Sequence, residues 1–571
     1  MYSQYSKGNI FTDVKVESFP RHVFNKSYTN SFTCNHGYAI PFFVDDVNPG
    51  DKIDLNSYGR VQLQPLATAS MQNIRCYMRY FYVPYRLVWD KWDDFISQDG
   101  FAQNPMLAPY TYLIGSRLQL FAENPGNLAD FLGIQVTNYS TDVVDGEVIP
   151  NFGSFTHETE VAFTLFRHYA YWLIWDTYYR DENLQFKVLD SIAPLEPGYN
   201  SPDINALGTL LPVSYEKDYF TTALPWTQKG EPVNLNAYVI QQSNAWLQQN
   251  ISDNYGSSIV KGELRTVSAH DGSDNNNDMR LKMSATYVSS GMLRPDGNTP
   301  VSIADQSLAT SININDLRYA NALQRYLERL ALGGNRPAEF YLSMFGVRID
   351  DLRIGQPLYL GGGYDYIHVT PVTQQSETAQ TPQGTLAGNG TGNPSFGINA
   401  PYYCTEPGIV MGIFSIRPEL NYTQGLPKQL TRFSHMDYYN PIFAHLGEEP
   451  VMKSELMIYS GFNNNPARPT LDSGEESIIY QQDDIFGYQS RFADLKAKRN
   501  EVHGELKTSL NTWLLSTNFT NPQLNSDFIT VDQNYDIFAV TSENLADHYI
   551  CEFHHEYTVE SSMPDFVIPS L

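Results

Sequence analysis

One run constrains the fold more than any other: Ile74-Arg75-Cys76-Tyr77-Met78-Arg79-Tyr80-Phe81-Tyr82-Val83, closed by Pro84. Ile74, Cys76, Met78, Tyr80 and Tyr82 alternate with Arg75, Tyr77, Arg79 and Phe81, and a period of two sends alternate residues to opposite faces of a strand. Arginine on one face predicts a strand half-exposed to solvent. Residues Gly408 to Pro418 are apolar along most of their length and predict a buried strand. Tyr38 to Val44 is strand-like and runs into the turn cluster Asp45 to Asp51.

Helical periods fall between these strands. Residues 158–180 can place Val161, Leu165, Trp172 and Trp175 on one apolar face. Residues 316–331 repeat Leu317, Ala320, Leu323, Leu327 and Leu330 at three and four, ending at Gly333-Gly334. A third helix is expected over about 490–515, with Val502, Leu506, Leu510 and Trp513 together, although Gly504 weakens it. Trp89, Trp92 and Phe95 are spaced as on a short helix. Leu360-Gly361-Gly362-Gly363-Tyr364 and the Gly-, Thr-, Gln- and Asn-rich residues 374–400 read as flexible loops. Strands at both ends with helices lodged in long connections make a mainly β chain, as a double-sheet jelly roll with elaborated loops would read.

Residues 1–30 are polar and irregular, an N-terminal arm expected to order only against partners. Residues 31–230 and 316–571 form the expected body. Residues 231–315, rich in Asn, Ser, Asp and Gly and including Asp274-Asn275-Asn276-Asn277-Asp278, are too long for a bare loop and are expected to form an inserted surface protrusion.

Hydrophobic residues make up 42% of the 571 and aromatics 13%, with 39 Tyr and 31 Phe. That suits a packed chain whose surfaces become interfaces. Against 37 Lys and Arg stand 63 Asp and Glu, a net charge of −26. Such a charge opposes non-specific phosphate binding. Any enclosed nucleic acid needs neutralising charge from elsewhere: a small basic partner, polyamines or metal ions. Cys34, Cys76, Cys404 and Cys551 lie far apart without a zinc or disulfide pattern and are expected as free thiols. No apolar leader or run of membrane-spanning length is visible, so neither secretion nor membrane insertion is expected.

Enzymatic signals fail individually. The glycine-rich segments at 360–364 and 388–392 lack the lysine of a phosphate loop or a following helix. There is no G-x-S-x-G elbow and no H-E-x-x-H. The Cys551-Glu552-Phe553-His554-His555-Glu556 cluster splits across two faces if it is a strand, and reads as ordinary strand polarity rather than a metal site. No catalytic, metal or cofactor residue is therefore assigned. Arg75, Arg79 and Arg86, interleaved with tyrosines, and Arg491, Lys496, Lys498 and Arg499 are candidate single-strand DNA contacts, or equally subunit salt bridges. Trp89, Trp92 and Trp226 are candidate interface anchors or plain core.

Many strings in one order resemble the microvirus (Microviridae) major capsid protein, especially its gokushovirus-like members. They include Asn48-Pro49-Gly50-Asp51, Arg79 to Trp89 with Trp92, Trp172 to Leu184, Asp218 to Gly230, Leu327 to Gly334, Phe345-Gly346-Val347, Tyr359 to Gly362, Asp437 to Pro441 and Phe486 to Gln489. The resemblance implies an eight-stranded antiparallel jelly roll of viral capsid type and no enzyme activity. It also implies a virion protein of which about sixty copies form a T = 1 icosahedral shell around circular single-stranded DNA. A small basic DNA-associated protein, assembly in the host cytoplasm, and a protrusion near the three-fold axes that meets a host receptor are the further expectations. Two rivals stand beside it. A carbohydrate-binding or carbohydrate-degrading jelly roll would need a signal peptide and an aromatic-lined carboxylate cleft. A DNA-binding scaffold is opposed by the charge.

Overall fold

In a computed structural model the described residues are 20–571, apart from 98–105, 137–138, 145–146, 153–159, most of 230–313, 333–335, 349–354, 374–385, 459–484, 516, 518, 542–545 and 565–571. The chain divides into two compact units, residues 1–227 with 330–571, and residues 228–329.

The first unit is built on one curled antiparallel sheet of eleven strands: β1 (His22–Asn25), β2 (Tyr28–Cys34), β3 (Ile40–Val47), β4 (Lys52–Leu63), β5 (Ile74–Pro84), β6 (Leu358–Thr373), β7 (Leu386–Gly392), β8 (Ser395–Gly397), β9 (Tyr402–Tyr403), β10 (Gly408–Pro418) and β11 (Tyr549–Ser561). The order is β1-β11-β4-β7-β6-β5-β10-β3, with β8 and β9 also on β4 and β2 on β11. The strand β6 makes the fold: Leu358–Ile367 runs along β5, then His368–Thr373 runs along β7. It leaves one layer and enters the other.

The two layers close face to face on aromatic side chains. Phe42 of β3 and Phe414 of β10 each lie 5.0 Å, centroid to centroid, from Phe553 of β11, and Phe43 lies 5.1 Å from Tyr557. Strict alternation along β4 and β11 supplies this face: Ile53, Leu55, Val61 and Leu63 from one, Tyr549, Cys551, Phe553, Tyr557 and Val559 from the other, all buried. Such alternation is what a sheet wet on its far side requires. Phe553 touches three of the packed strands' aromatics, so Phe553→Ala should cost ~3–5 kcal/mol of unfolding free energy, read as a shift of the denaturant midpoint. A loss below about 1 kcal/mol would mean the two layers do not share this core.

The half-exposed reading of β5 is corrected. Its arginine face is covered: Phe81 and Val83, with Ile409, Met411 and Ile413 of β10, pack against helix α1 (Phe166–Tyr178), whose Tyr171, Trp172 and Trp175 are buried. The Tyr171 hydroxyl donates to the Ala39 carbonyl at 2.7 Å and the Trp175 indole N–H to the Pro212 carbonyl at 2.7 Å. Strands β5 and β10 therefore lie between two cores, and every residue of β10 is buried.

Other expectations are corrected as well. Residues 28–30 belong to β2 and residues 22–25 to β1, so the irregular arm is shorter than 30 residues. Both strands find their partner in β11, more than 500 residues away, where no local pattern could announce it. The helix expected from residue 158 starts at Phe166; Glu160–Thr164 is a strand paired with Tyr110–Ile114, and Val161 is exposed. The helix expected at 490–515 is three 3-10 turns, Ala493–Leu495, Gly504–Lys507 and Asn511–Trp513, and Gly504 sits at φ +69°, which a helix cannot continue through.

The glycine-rich 360–364 "loop" lies within β6, and in the second, residues 386–392 and 395–397 are strands, while 374–385 lie outside the described residues. A Cβ on Gly362 would stand 2.1 Å from the Met78 carbonyl oxygen, and one on Gly388 2.7 Å from that of Thr68. Glycine there permits close approach of backbones rather than flexibility.

In the second unit the described residues form short antiparallel strands. Gln249–Ile251 pairs with Ser258–Val260, and Arg280–Met283 pairs with both Val267–His270 and Met292–Leu293. Helix α2 (Ile314–Leu332) follows, spanning the residues expected to be helical. Gly333-Gly334 lies outside the described residues.

Candidate assembly surface

Among the described residues, a dense run of exposed apolar side chains lies between Leu430 and Leu446. Leu430, Phe433, Met436, Tyr438, Tyr439, Ile442 and Leu446 are all exposed, Ile442 to 77%. Scattered exposed hydrophobes are ordinary, but a contiguous set marks a surface made to be covered.

This segment is shaped before anything covers it. It holds three single 3-10 turns, Lys428–Leu430, His435–Asp437 and Phe443–His445. The Asp437 carboxylate accepts the backbone N–H groups of Phe433 (3.1 Å) and Ser434 (2.7 Å), and Asn440 Oδ1 accepts that of Ile442 (3.0 Å). The Lys428 ammonium donates to the Pro450 carbonyl at 2.8 Å. Arg432 pairs with Asp494, both less than 10% exposed. Hydrogen bonds accepted by Asp437 and Asn440 fix the turns at the surface and the Arg432–Asp494 pair anchors the segment below, while its apolar side chains stay uncovered. Pre-shaping lowers the ordering cost on association.

A second apolar set lies on helix α3 (Pro337–Phe345) and just after it: Tyr341, Leu342, Phe345 and Val347 are exposed. Gly346 ends that helix in the left-handed region at φ +68°.

The basic residues singled out in the sequence fall in separate places. Arg75 pairs with Glu216 and Glu419. Arg86 pairs with Glu406 at 2.5 Å. Arg79 lies over the rings of Tyr77 and Tyr179 on the helix-covered face of β5. Arg491 lies beneath the apolar segment instead, its guanidinium 5.8 Å from the Phe443 ring and 5.2 Å from Phe492. Arg499 donates to the Glu455 carbonyl at 2.5 Å and, with exposed Lys498, lines a cleft of about 210 Å³. Glu455 also lines that cleft, and burial raises its carboxyl above the usual range. Trp89 is 2% exposed inside the core, half-buried Trp92 packs on it and stacks on Tyr85 at 4.4 Å, and Trp226 is half-buried.

All four cysteines are buried free thiols. In β11, Cys551, Phe553 and His555 point into the core and Glu552 and Glu556 out, as the alternation predicted. Among the described residues no group of three His, Cys, Asp or Glu side chains could hold a metal ion, and no helix is long and apolar enough to cross a membrane. The apolar segment itself went unrecognised in the sequence beyond the string Asp437 to Pro441. Its signal was Tyr, Ile and Leu crowded among Asn and Pro with neither period, which is how an irregular apolar surface reads.

A two-layer β body carrying shaped, uncovered apolar loops defines a structural protein whose surface calls for a covering partner. Residues 12–571 match the family of phage capsid proteins described as capsid protein (F protein), and the chain belongs to that family. It is 30% identical to capsid protein VP1 of Chlamydia phage 1, across 99% of this chain and 98% of that protein. It is 29% identical to capsid protein VP1 of Bdellovibrio phage phiMH2K and 27% to that of Spiroplasma virus 4, in each case across 98% of this chain and 97% of the other. The chain is thus a microvirus capsid protein of jelly-roll fold, a virion component that self-assembles, and not an enzyme.

Proposed function

We propose that this chain is the major subunit of a T = 1 icosahedral shell of about sixty copies around circular single-stranded DNA, assembled in the host cytoplasm. The observation that carries the reading is the shaped apolar segment 430–446, which needs a covering surface and has the family's self-association to supply one. Symmetric tiling requires several such patches per subunit, and the α3 set supplies another. The net charge of −26 leaves neutralisation of the genome to a small basic protein. Arg75, Arg79, Arg86, Arg491, Lys498 and Arg499 are proposed as strand or subunit contacts of secondary weight, since most already hold a carboxylate, a carbonyl or a ring of their own subunit. Electron microscopy of the expressed chain tests the reading. Closed particles of about sixty subunits are expected; a protein that stays monomeric at high concentration, or forms open sheets only, would contradict it.

The insertion at 231–315 is proposed as a surface protrusion that meets a host receptor near the three-fold axes. Deleting residues 235–312 and closing with a short linker should leave shell formation intact and abolish infection. Unchanged adsorption of such particles to host cells would end the attachment role.

A further inference from the structure

The helix-covered face of β5 and β10 carries more positive charge than it neutralises. Register places Arg417 opposite Arg75, Ser415 opposite Tyr77 and Ile413 opposite Arg79, so these side chains share one face. Arg75 spends its charge on Glu216 and Glu419. Arg417 has no such partner. It is 9% exposed, lies 4.8 Å from the Tyr77 ring and 5.7 Å from the Tyr179 ring, and makes no ion pair among the described residues. Its Nε–H has no acceptor. Arg79 lies over the same two rings, at 5.5 and 5.7 Å, and also lacks an ion pair among the described residues. Burial, then the neighbouring Arg79 charge, push the Arg417 guanidinium down to about 10. A buried cation without a counter-ion is costly, and two on the same rings repel.

The cost has a place to be relieved. A cavity of about 500 Å³ is lined by Tyr77, Arg79, Tyr179, Ser214 and Arg417. The hydroxyls of Tyr179 and Ser214 are buried there and, like the Arg417 Nε–H, have no acceptor. The carboxylates on its wall are already engaged: Glu216 by Arg75 and Tyr77, and Asp181 by the backbone N–H groups of Asn183 and Leu184. Unmet donors of both kinds, charged and neutral, converge on one space and call for an acceptor with several oxygens and at least one negative charge.

We propose that this cavity binds a phosphate group, held by the guanidinium groups of Arg79 and Arg417 and the hydroxyls of Tyr179 and Ser214. Guanidinium forks match phosphate oxygens. Free phosphate and a polynucleotide share this chemistry. The site does not rest on the shell enclosing DNA; a strand bound here would deepen that reading.

Calorimetric titration of the purified full chain with inorganic phosphate, at ionic strength matched with chloride, and separately with a short oligodeoxythymidylate, tests it. Phosphate should bind wild type, with affinity falling at least tenfold in Arg417→Gln and several-fold in Ser214→Ala. If Arg417→Gln does not fold, Arg79→Gln replaces it with the same tenfold criterion. Oligonucleotide binding lost in parallel identifies a strand phosphate, and phosphate binding alone identifies a free oxyanion. Phosphate that fails to bind wild type, or binds the variants equally, overturns the proposal. Oligonucleotide binding that survives Arg417→Gln while phosphate does not bind would overturn it and leave the DNA-enclosing reading standing.

Discussion

A chain carrying Tyr439→Asp and Ile442→Asp stays folded and builds no shell. Ile442 projects from the 430–446 segment into solvent at 77% exposure, and Tyr439, 58% exposed, touches the core only through one edge-on contact with the buried Phe492 ring at 5.2 Å. Substitution at such positions changes unfolding free energy by about 0.5 kcal/mol or less. Association is another matter. If a neighbouring copy covers the segment, each change removes an apolar anchor and buries a carboxylate in its place, a loss of ~2–4 kcal/mol per residue at the centre of an interface. Every ~1.4 kcal/mol is tenfold in affinity, and a closed shell repeats the contact around its whole surface. The concentration needed for assembly should rise on the order of a thousandfold or more. Sedimentation velocity reads the particle fraction, and circular dichroism confirms the fold. Normal particles at ordinary concentrations would show that this segment is not an interface.

The isolated subunit should unfold steeply as pH falls from about 6.5 toward 4. His36, His168 and His555 are buried, and burial lowers their imidazoles to about 4, about 3 and about 4 respectively. Unfolded histidine titrates near 6.5. Above that pH both states are neutral and the groups contribute no pH dependence. Below it the unfolded chain takes up protons that the folded chain refuses, so stability is lost as pH falls and the loss is complete below the folded values. His36 and His555 then cost about 3 kcal/mol each and His168 about 5, on the order of 10 kcal/mol together, which matches the whole stability of a typical domain.

Two buried carboxyls act in the opposite sense. Burial raises Asp176 and Glu455, so the folded chain binds protons the unfolded chain does not, and stability rises as pH falls through their folded values. Three strongly shifted imidazoles outweigh them. His555→Gln keeps a side chain that can bond Ser57, whose hydroxyl lies 2.7 Å from the imidazole, and removes one titrating group. Its acid transition should move to lower pH. An acid midpoint unchanged in this variant, or an unfolding curve flat between pH 6.5 and 4, would contradict the assignment.

How much of this was written locally follows from particular strands. β10 was legible because its signal, a continuous apolar run, depends only on which faces are dry, whereas β11 was read only as far as how Cys551 to Glu556 would divide between two faces if they formed a strand. β5 was legible as a strand but not as a doubly buried one: Arg75 and Arg79 look like solvent residues until Glu216, Glu419 and the rings of Tyr77 and Tyr179 are brought to them. β7 was illegible because Gly388, Gly390 and Gly392 match both a flexible loop and a strand pressed against Leu66, Leu63 and Ile367, and only those partners decide between the two. Arg417 sat unremarked at the end of an apolar run. Its importance comes from what is missing around it, and a sequence does not display missing partners. The family was legible from many short strings together, whereas the assembly surface was not, since an irregular loop carries no period.

The most direct test is a reconstruction of the assembled particle at a resolution that shows side chains. Tyr439 and Ile442 should lie buried against a neighbouring copy, with the two-layer β body unchanged and the 430–446 backbone held by Asp437, Asn440 and Arg432 as in the single subunit. A particle in which both side chains remain open to solvent would contradict the claim that these loops join the shell.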